Sequence, residues 1–116
     1  MDLNRMIKQL KTDKDCAKIG MIACHLGIVR GHSRKGGKVT EIEVRYNPET
    51  LNRVLDETKQ MPGIVDILIE TAEGRLKVGD EILAVAVAGD IREHVFPALT
   101  QLVDRIKSEA VTKKEM

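Results

Sequence analysis

Basic side chains are the residues of this sequence whose types and spacing could support chemistry. One group surrounds the end of an apolar run and the glycine-rich segment after it: Arg30, His32, Arg34, Lys35 and Lys38. The others lie further along the chain: Arg92, Lys107, Lys113 and Lys114. Arginine can hold a phosphate through two parallel hydrogen bonds, and a desolvated lysine can act as a nucleophile or a base. The pattern therefore predicts a site for anions.

Solvated surface charge is the simpler interpretation of many of these cations, and the sequence leaves it open. It is the stronger interpretation for Arg34, Lys35 and Lys38, which lie in a glycine-rich segment. For Arg30, directly after an apolar run, a structural and a functional role are balanced. They are balanced for Lys107 as well, because it lies at the edge of a predicted apolar stripe and could extend along it into water.

Other chemical motifs are missing from the sequence. It has no Ser/His/Asp arrangement, no H-E-x-x-H zinc motif and no phosphate-binding loop. The histidines His25, His32 and His94 lack metal-ligand spacing, and no acidic cluster accompanies them. Cys16 and Cys24 are too few for a disulfide scaffold and are expected to be free thiols. We therefore expect neither a metal site nor a cofactor.

Length and composition limit the class of protein. The chain has 116 residues, so one domain spanning residues 1–116 is expected. A net charge of +1 and an aromatic content of 2% argue against a nucleic-acid partner, which favours a basic field and stacking side chains. We find no signal peptide at the amino end and no apolar run near the roughly 20 residues of a membrane span. A cytoplasmic protein without a membrane partner is expected.

Hydrophobic periodicity predicts the elements that would position the first group of cations. Residues 1–18 have helical spacing, and residues 19–29 form an apolar run typical of a buried strand, where Gly27 predicts a bulge or a close approach of another backbone. A cationic loop over 31–38 follows. The alternation over 40–46 predicts a strand with one exposed face.

The middle of the chain predicts a helix and three strands. Asn47-Pro48 is a helix start, with a capping residue before a proline, and Pro62-Gly63 is a stop. The strands are predicted over 64–71, 75–78 and 81–88.

The last quarter predicts a helix and a loose tail. Asp90 is the expected cap, Lys107 the expected end, and Pro97 a position where the helix could kink. The charged tail after Ala110 is expected to fray. The resulting order, α-β-β-α-β-β-β-α, predicts an α+β protein with helices packed on a mixed or mainly antiparallel sheet.

Three segments in a fixed order resemble a known family. They are Gly27-Ile28-Val29-Arg30-Gly31-His32, then Arg75-Leu76-Lys77-Val78-Gly79-Asp80-Glu81-Ile82, then a closing series of Arg92, Phe96, Asp104, Lys107 and Lys113-Lys114-Glu115. This ordered set resembles the catalytic (large) subunit of molybdopterin synthase, over residues 13–116. The resemblance implies an α/β-hammerhead-like version of the α+β fold.

The resemblance also implies an activity. Family members transfer sulfur from the thiocarboxylate of a small ubiquitin-like carrier with a C-terminal Gly-Gly to a cyclic pyranopterin monophosphate, which forms the dithiolene of molybdopterin. Lys107 would be the catalytic lysine and Lys113 its companion in the pocket. Arg30 and Arg92 would bind the substrate phosphate, and the neighbouring His32 and Lys114 are further candidates for anion binding. The transfer itself requires no metal or redox cofactor.

The spacing of two candidates adds a prediction about assembly. Arg92 and Lys107 lie 15 residues apart, which is roughly 22 Å along one helix. One small substrate cannot touch both in the same chain unless Pro97 breaks the helix. The family is a symmetric dimer with composite sites, which agrees with this spacing. We therefore expect a homodimer, and with two carriers a heterotetramer.

Two departures from the family keep other functions open. Ile91 stands where members commonly have a histidine, and His25 stands where an aromatic residue is usual. One alternative is a non-catalytic dimeric relative that binds a sulfur carrier or an anionic ligand. A third hypothesis, a small RNA- or phosphate-binding domain that uses the loop 31–38, is disfavoured by the lack of aromatic side chains.

Overall fold

The computed structural model of the protein describes residues 1–115. A first antiparallel sheet has three strands: β1 (Met21–Ile28), β3 (Ile64–Thr71) and β5 (Glu81–Gly89). Their spatial order is β1-β5-β3, so β5 is central. A second antiparallel sheet also has three strands: β2 (Glu41–Tyr46), β4 (Gly74–Lys77) and β6 (Val111–Glu115). Its order is β4-β2-β6, so the last strand of the chain lies at its edge.

Three α-helices accompany these sheets: α1 (Leu3–Lys11), α2 (Pro48–Lys59) and α3 (Arg92–Arg105). A 3₁₀ turn over Cys16–Lys18 precedes β1, and a π-helical turn over Ile106–Ala110 joins α3 to β6. The predicted α+β class is confirmed, although the strands form two sheets rather than one. Among the described residues, no helix is long and apolar enough to cross a membrane.

The aliphatic core lies on both faces of β5, which is buried from Ile82 to Gly89. Because successive side chains of a strand point to opposite faces, its residues divide into two sets. Valines and leucine on one face join the larger core cluster with α3, namely Leu83, Val85, Val87, Val95 and Leu102. Alanines on the other face meet α1: Ala84, Ala86 and Ala88 with Met6 and Leu10.

Several predicted boundaries are confirmed. Asn47 caps α2, since its side-chain oxygen accepts a hydrogen bond from the backbone N–H of Thr50 at 3.0 Å. The strand predicted over residues 64–71 is β3. The bulge predicted at Gly27 is present, because the pairing of β1 with β5 shifts register between Gly27 and Ile28. That bulge turns the chain just before Arg30.

The predicted helix over residues 1–18 was too long. The α1 helix ends at Lys11, and it is closed by the N–H of Thr12, which donates to the carbonyl of Gln9, and by the N–H of Asp13, which donates to the carbonyl of Leu10. Beyond it, the Asp13 carboxylate accepts a hydrogen bond from the N–H of Asp15 at 2.8 Å. Such local side-chain bonds offer the backbone an alternative to helix, which explains the early end.

The prediction of Asp90 as the cap of the last helix was wrong. The flanking residue is Ile91, which has no side-chain capping bond. The Asp90 carboxylate instead accepts from the N–H of Ile91 at 2.7 Å and contacts Nδ1 of His94 at 2.8 Å. Helix α3 runs through Pro97 and ends at Arg105 rather than at Lys107.

The prediction of a frayed tail after Ala110 was also wrong. Residues Val111–Glu115 form β6, which pairs with β2 from Tyr46↔Val111 to Ile42↔Glu115. A charged sequence does not reveal this pairing, because the backbone of β2 supplies the hydrogen bonds and Val111 is the residue of β6 that packs against the core. The order of elements therefore gains a strand at its end.

Candidate functional site

A cavity of about 940 Å³ lies where the end of β1, the loop after it, the π turn and β6 meet. Its basic lining residues come from all of these elements: His25, Arg30, His32, Arg34, Lys35, Lys107 and Lys113. Acidic residues also line it, namely Asp104 and Glu115. The cations exceed the carboxylates, so the cavity favours an anionic ligand.

Arg30 follows a backbone that is held on both sides. The N–H of Val29 donates to the carbonyl of Asp80 at 2.9 Å, and the N–H of Gly79 donates to the carbonyl of Val29 at 2.7 Å. The Val29 side chain is buried, whereas Arg30 is exposed at the mouth of the cavity. The backbone before Arg30 is therefore held in place, while the Arg30 side chain is exposed and accessible to a ligand.

The loop after Arg30 is closed by a tight turn. The N–H of Ser33 donates to the carbonyl of Gly37 at 2.8 Å, and the N–H of Gly37 donates to Oγ of Ser33 at 3.1 Å. Gly36 has a φ of 87°, which a residue with a side chain rarely adopts. His32 pairs with Lys38 across the base of the loop. His32 and Arg34 line the cavity, although solvated surface charge is the stronger interpretation of Arg34 from the sequence.

Lys107 lies in the π turn between α3 and β6. The turn is anchored by Ile106 and Ala110, which are both buried, while Lys107 between them is exposed and lines the cavity. The N–H of Val111 bonds to the carbonyl of Ile106, five residues back, which closes the wide turn. Such π turns occur frequently at functional sites.

Lys113 reaches the cavity from β6, where it lies opposite Val44 of β2. Partial desolvation is the first cause that lowers the pKa of Lys113 from its ordinary value of 10.5, and the charge of Lys107 is the second. Smaller effects come from Glu115, which raises the pKa, and from Arg30 and Arg34, which lower it. Much of Lys113 remains exposed, so solvent limits these effects. A lysine with a lowered pKa is suited to proton transfer or nucleophilic attack.

His25 was not selected as a site residue from the sequence, although the structure brings it into the cavity lining. Burial lowers the pKa of His25 from 6.5, and the charge of Lys107 lowers it further, so the neutral imidazole is favoured. Its Nε2 is buried without a hydrogen-bond partner among the described residues. The missing side chain of Gly27 makes room for it, since a Cβ there would lie 3.3 Å from Nε2.

Two predicted site residues do not line the cavity. Lys114 alternates with Lys113 along β6 and points to the opposite face, as the period of a strand requires. Arg92 lies at the start of α3, and its side chain is 79% exposed beside Glu93, with 3.6 Å between Nε and the carboxylate. The other four, Lys107, Lys113, Arg30 and His32, line it together.

Among the described residues, no group of three or more His, Cys, Asp or Glu side chains could hold a metal ion. Both cysteines are free and exposed. Tyr46 also lines the cavity, where its hydroxyl donates to the carbonyl of Ile82 at 3.1 Å. Burial first, and the charge of Glu73 second, raise the pKa of Tyr46 to about 12, so this phenol stays protonated at neutral pH. The basic side chains are therefore the groups that can bind and stabilise anions here.

The fold and the cavity define a class: a small α+β protein with two antiparallel sheets and a cation-lined cavity beside the π turn that joins α3 to β6. The chain belongs to the MoaE protein family, whose sequence profile matches residues 1–109. The resemblance drawn from the sequence is confirmed at the level of the family.

Two curated relatives are named molybdopterin synthase catalytic subunit. The one from Ralstonia nicotianae is 32% identical over 113 residues, which cover 94% of this chain and 62% of the relative. The one from Cereibacter sphaeroides is 31% identical over 105 residues, covering 86% of this chain and 70% of the relative. The chain thus spans about three-fifths of the length of the Ralstonia protein.

Solved structures share the fold of this chain. A molybdopterin biosynthesis MoaE protein from Burkholderia ambifaria superposes with a TM-score of 0.80 at 31% identity, over 99% of this chain and 76% of that one. A complex of subunits 1 and 2 of molybdopterin-converting factor from Helicobacter pylori gives a TM-score of 0.73 at 15% identity. That match covers 99% of this chain and 78% of the other, and it shows the fold alone.

Proposed function

We propose that this single-domain chain is the catalytic subunit of a molybdopterin synthase in the cytoplasm. It transfers two sulfurs from thiocarboxylated carriers to a cyclic pyranopterin monophosphate, where they replace two oxygens to form the dithiolene of molybdopterin, and each carrier is left with an ordinary carboxylate. The observation that carries the proposal is the joint presence of Lys107, Lys113 and Arg30 in one cavity of a MoaE-family fold. No metal or redox cofactor takes part in the transfer.

The proposed roles follow from charge and surroundings. Arg30, with His32 beside it, binds the substrate phosphate, because a guanidinium can donate two parallel hydrogen bonds to it. Lys107 stabilises the negative charge that develops at the reacting carbon and sulfur atoms. Lys113 exchanges a proton with the substrate, since its lowered pKa makes the neutral amine more accessible near neutral pH.

The proposed sulfur donor is a small ubiquitin-like carrier whose C-terminal Gly-Gly thiocarboxylate enters the cavity. Support comes from the basic lining, which suits an anionic tail, and from the Helicobacter pylori structure of similar fold, which is a complex of two subunits. Two glycines carry no side chains, so such a tail can enter a narrow cleft in extended form.

The proposed assembly is a homodimer in which Arg92, and Lys114 on the outer face of β6, serve surfaces other than their own chain's cavity. Helix α3 runs from Arg92 to Arg105 without interruption, which corresponds to about 20 Å along its axis. Arg92 therefore reaches a substrate only in the cavity of a partner. With a carrier bound to each chain, the complex is a heterotetramer.

The test is a sulfur-transfer assay with purified protein, thiocarboxylated carrier and pyranopterin monophosphate. Lys107→Ala is expected to lower product formation by about a thousandfold while the unfolding temperature stays unchanged. Lys77→Ala, which removes an exposed lysine from β4 outside the cavity, is the matched control. Full activity of the Lys107→Ala variant would contradict the assigned role.

The second candidate function is a non-catalytic relative that holds a carrier or another anionic ligand. The observation that favours it is Ile91, which is 47% exposed directly before Arg92, where family members commonly have a histidine. This alternative predicts carrier binding without product. Calorimetry of carrier binding, carried out beside the transfer assay, separates the enzyme, which gives product, from the non-catalytic relative, which only binds the carrier.

A further inference from the structure

A network of four charged side chains lies on the π turn that carries Lys107 and on the helix packed beside it. Its members are Arg105 and Glu109, which flank Lys107 in sequence, and Arg53 and Glu57 on α2. None of the four lines the cavity, and the roles proposed above do not use them.

Arg105 and Glu109 form the closest contact of this network. Nε of Arg105 donates to Oε2 of Glu109 at 2.7 Å, and a second guanidinium nitrogen donates to Oε1 at 3.3 Å. The third guanidinium nitrogen donates to Glu57 on α2 at 3.3 Å. Exposed ion pairs usually contribute little, but a two-point pair within a network is the exception, and the Arg105 side chain is only 21% exposed.

The contacts of Arg53 in the same network are looser. Its two guanidinium nitrogens lie 3.6 Å from Glu57 and 3.6 Å from Glu109, and its side chain is 55% exposed. Arg53 therefore offers an internal control, since it belongs to the network without making its short bonds.

The π turn is a conformation that needs such support. Its wide ring has poorer packing than an α turn, which makes long or isolated π segments rare. Besides the ion pair, the turn is held by the N–H of Asn47, which donates to the carbonyl of Ala110 at 2.8 Å. Arg105 lies two residues before Lys107 and Glu109 lies two residues after it, so their ion pair restrains the backbone on both sides of that lysine.

Relaxation of the π turn would change both lysines of the cavity. Conversion to an α turn removes one residue from the ring and rotates the following chain by about 100°. A shift of β6 by one residue would move every side chain of that strand to the opposite face. Thr112 would then lie opposite Val44 in place of Lys113, and Lys114 would face the cavity from the position opposite Ile42 that Glu115 holds.

We propose that Arg105 and Glu109 are positioning residues that stabilise the π turn. They thereby keep Lys107 in the cavity and keep β6 in the register in which Lys113, and not Lys114, faces the substrate. This inference rests on the proposed sulfur transfer for its catalytic consequence. The geometric claim, that the pair sets which lysine of β6 enters the cavity, can be measured without that activity.

The geometric test compares acylation of Lys113 and Lys114 by a small amine-reactive ester, quantified by peptide mass spectrometry. Glu109→Gln keeps the shape of the side chain and removes its charge, and Arg105→Lys keeps the charge and removes the two-point contact. Both variants are expected to shift the Lys113-to-Lys114 labelling ratio by about threefold or more, because a group's reactivity follows its surroundings. Arg53→Gln is expected to leave the ratio unchanged.

The catalytic test measures kcat and KM of the same three variants with carrier and pterin substrate. Glu109→Gln and Arg105→Lys are expected to lower kcat by about tenfold to a hundredfold with KM within about twofold, because a displaced catalytic group loses rate rather than binding. An unchanged labelling ratio in both variants would overturn the positioning role, whatever happens to kcat. Absence of transfer activity in the unmodified protein would instead refute the proposed function, and the labelling ratio would still decide the geometric claim.

Discussion

Lys113 is a residue whose chemistry depends on its neighbours. In the sequence it is one of two adjacent lysines in a charged tail, with nothing to separate it from Lys114. In the structure, partial desolvation and the nearby Lys107 lower its pKa. The difference between the two lysines is therefore created by the pairing of β6 with β2, which directs one of them into the cavity.

The first residue-scale prediction concerns the reactivity of Lys113. At pH 8, Lys113 is expected to be acylated about threefold faster in the unmodified protein than in Lys107→Gln, because removal of the neighbouring charge raises its pKa towards 10.5. Time-resolved peptide mass spectrometry measures the rate. Labelling of Lys8 on α1 in the same samples controls for reagent concentration, and equal Lys113 rates in both proteins would disprove the coupling.

The second residue-scale prediction concerns His25. Because burial lowers its folded-state pKa below 6.5, the unfolded chain takes up a proton more readily than the folded chain, and stability is lost as the pH falls below about 6.5. His25→Phe removes the titrating imidazole and its buried unpartnered nitrogen. It is therefore expected to raise the free energy of unfolding by about 1 kcal/mol near pH 6 and to reduce the loss of stability at lower pH. Urea unfolding between pH 5.5 and pH 8 measures this, with the exposed His32→Gln as control. A decline as steep as in the unmodified protein would rule out His25 as its source.

At the scale of elements, the site combines two irregular segments with one edge strand. The bulge at the end of β1 precedes Arg30, the π turn carries Lys107, and the short strand β6 carries Lys113 at its centre. The residues of β5 form an uninterrupted buried support for the first sheet. The two sheets thus hold the segments that present the reactive side chains.

The element-scale prediction tests the junction between β5 and α3. A Cβ at Gly89 would lie 2.6 Å from Cγ2 of Val95 and 2.7 Å from the carbonyl of Gly63, so no side chain fits there. Gly89→Ala is expected to lower the free energy of unfolding by about 1–3 kcal/mol, as overpacking does. Chemical denaturation measures it against Gly37→Ala, whose Cβ would meet only Ser33 Oγ at 3.4 Å. Equal stability of the two variants would show that the packing between β5 and α3 can rearrange to accept a methyl group at Gly89.

At the scale of the whole molecule, the position of Arg92 bears on whether a single chain can form a complete catalytic site. Arg92 lies at the opposite end of α3 from the π turn, and it does not line the cavity of its own chain. Phe96 and Ile91 near it are exposed apolar side chains, 52% and 47%. A composite site in a homodimer is the arrangement that would use Arg92 for catalysis.

The molecule-scale prediction is a complementation test. Arg92→Ala and Lys107→Ala are each expected to be inactive, and an equal mixture exchanged through mild denaturant is expected to regain about one quarter of the normal activity. Half of the random dimers are mixed, and each of those restores one of its two sites. Product formation before and after exchange measures it. Recovery that stays at the level of the separate variants would show that each chain acts alone, and Arg92→Ala with full activity would remove Arg92 from the site.

The sequence by itself determined much of the regular part of the fold and the family. Three local signals predicted elements from residues near one another in the chain. The Asn47-Pro48 pair predicted the start of α2, the apolar run predicted β3, and Gly27 predicted the irregular end of β1. The clusters of basic residues predicted an anion site, which stays a prediction, and the ordered motifs indicated the family, which is confirmed.

Only the tertiary structure decided which cations share one cavity. Whether Arg34 joins the lining, whether His25 lies beneath Lys107, and whether the tail pairs as β6 all depend on contacts between segments far apart in the sequence. The π turn was likewise unpredictable, since its conformation is stabilised by α2 and by Asn47 rather than by its own residues alone. A side chain's type fixes the chemistry it can do, and long-range packing fixes its neighbours, its solvation and therefore its reactivity.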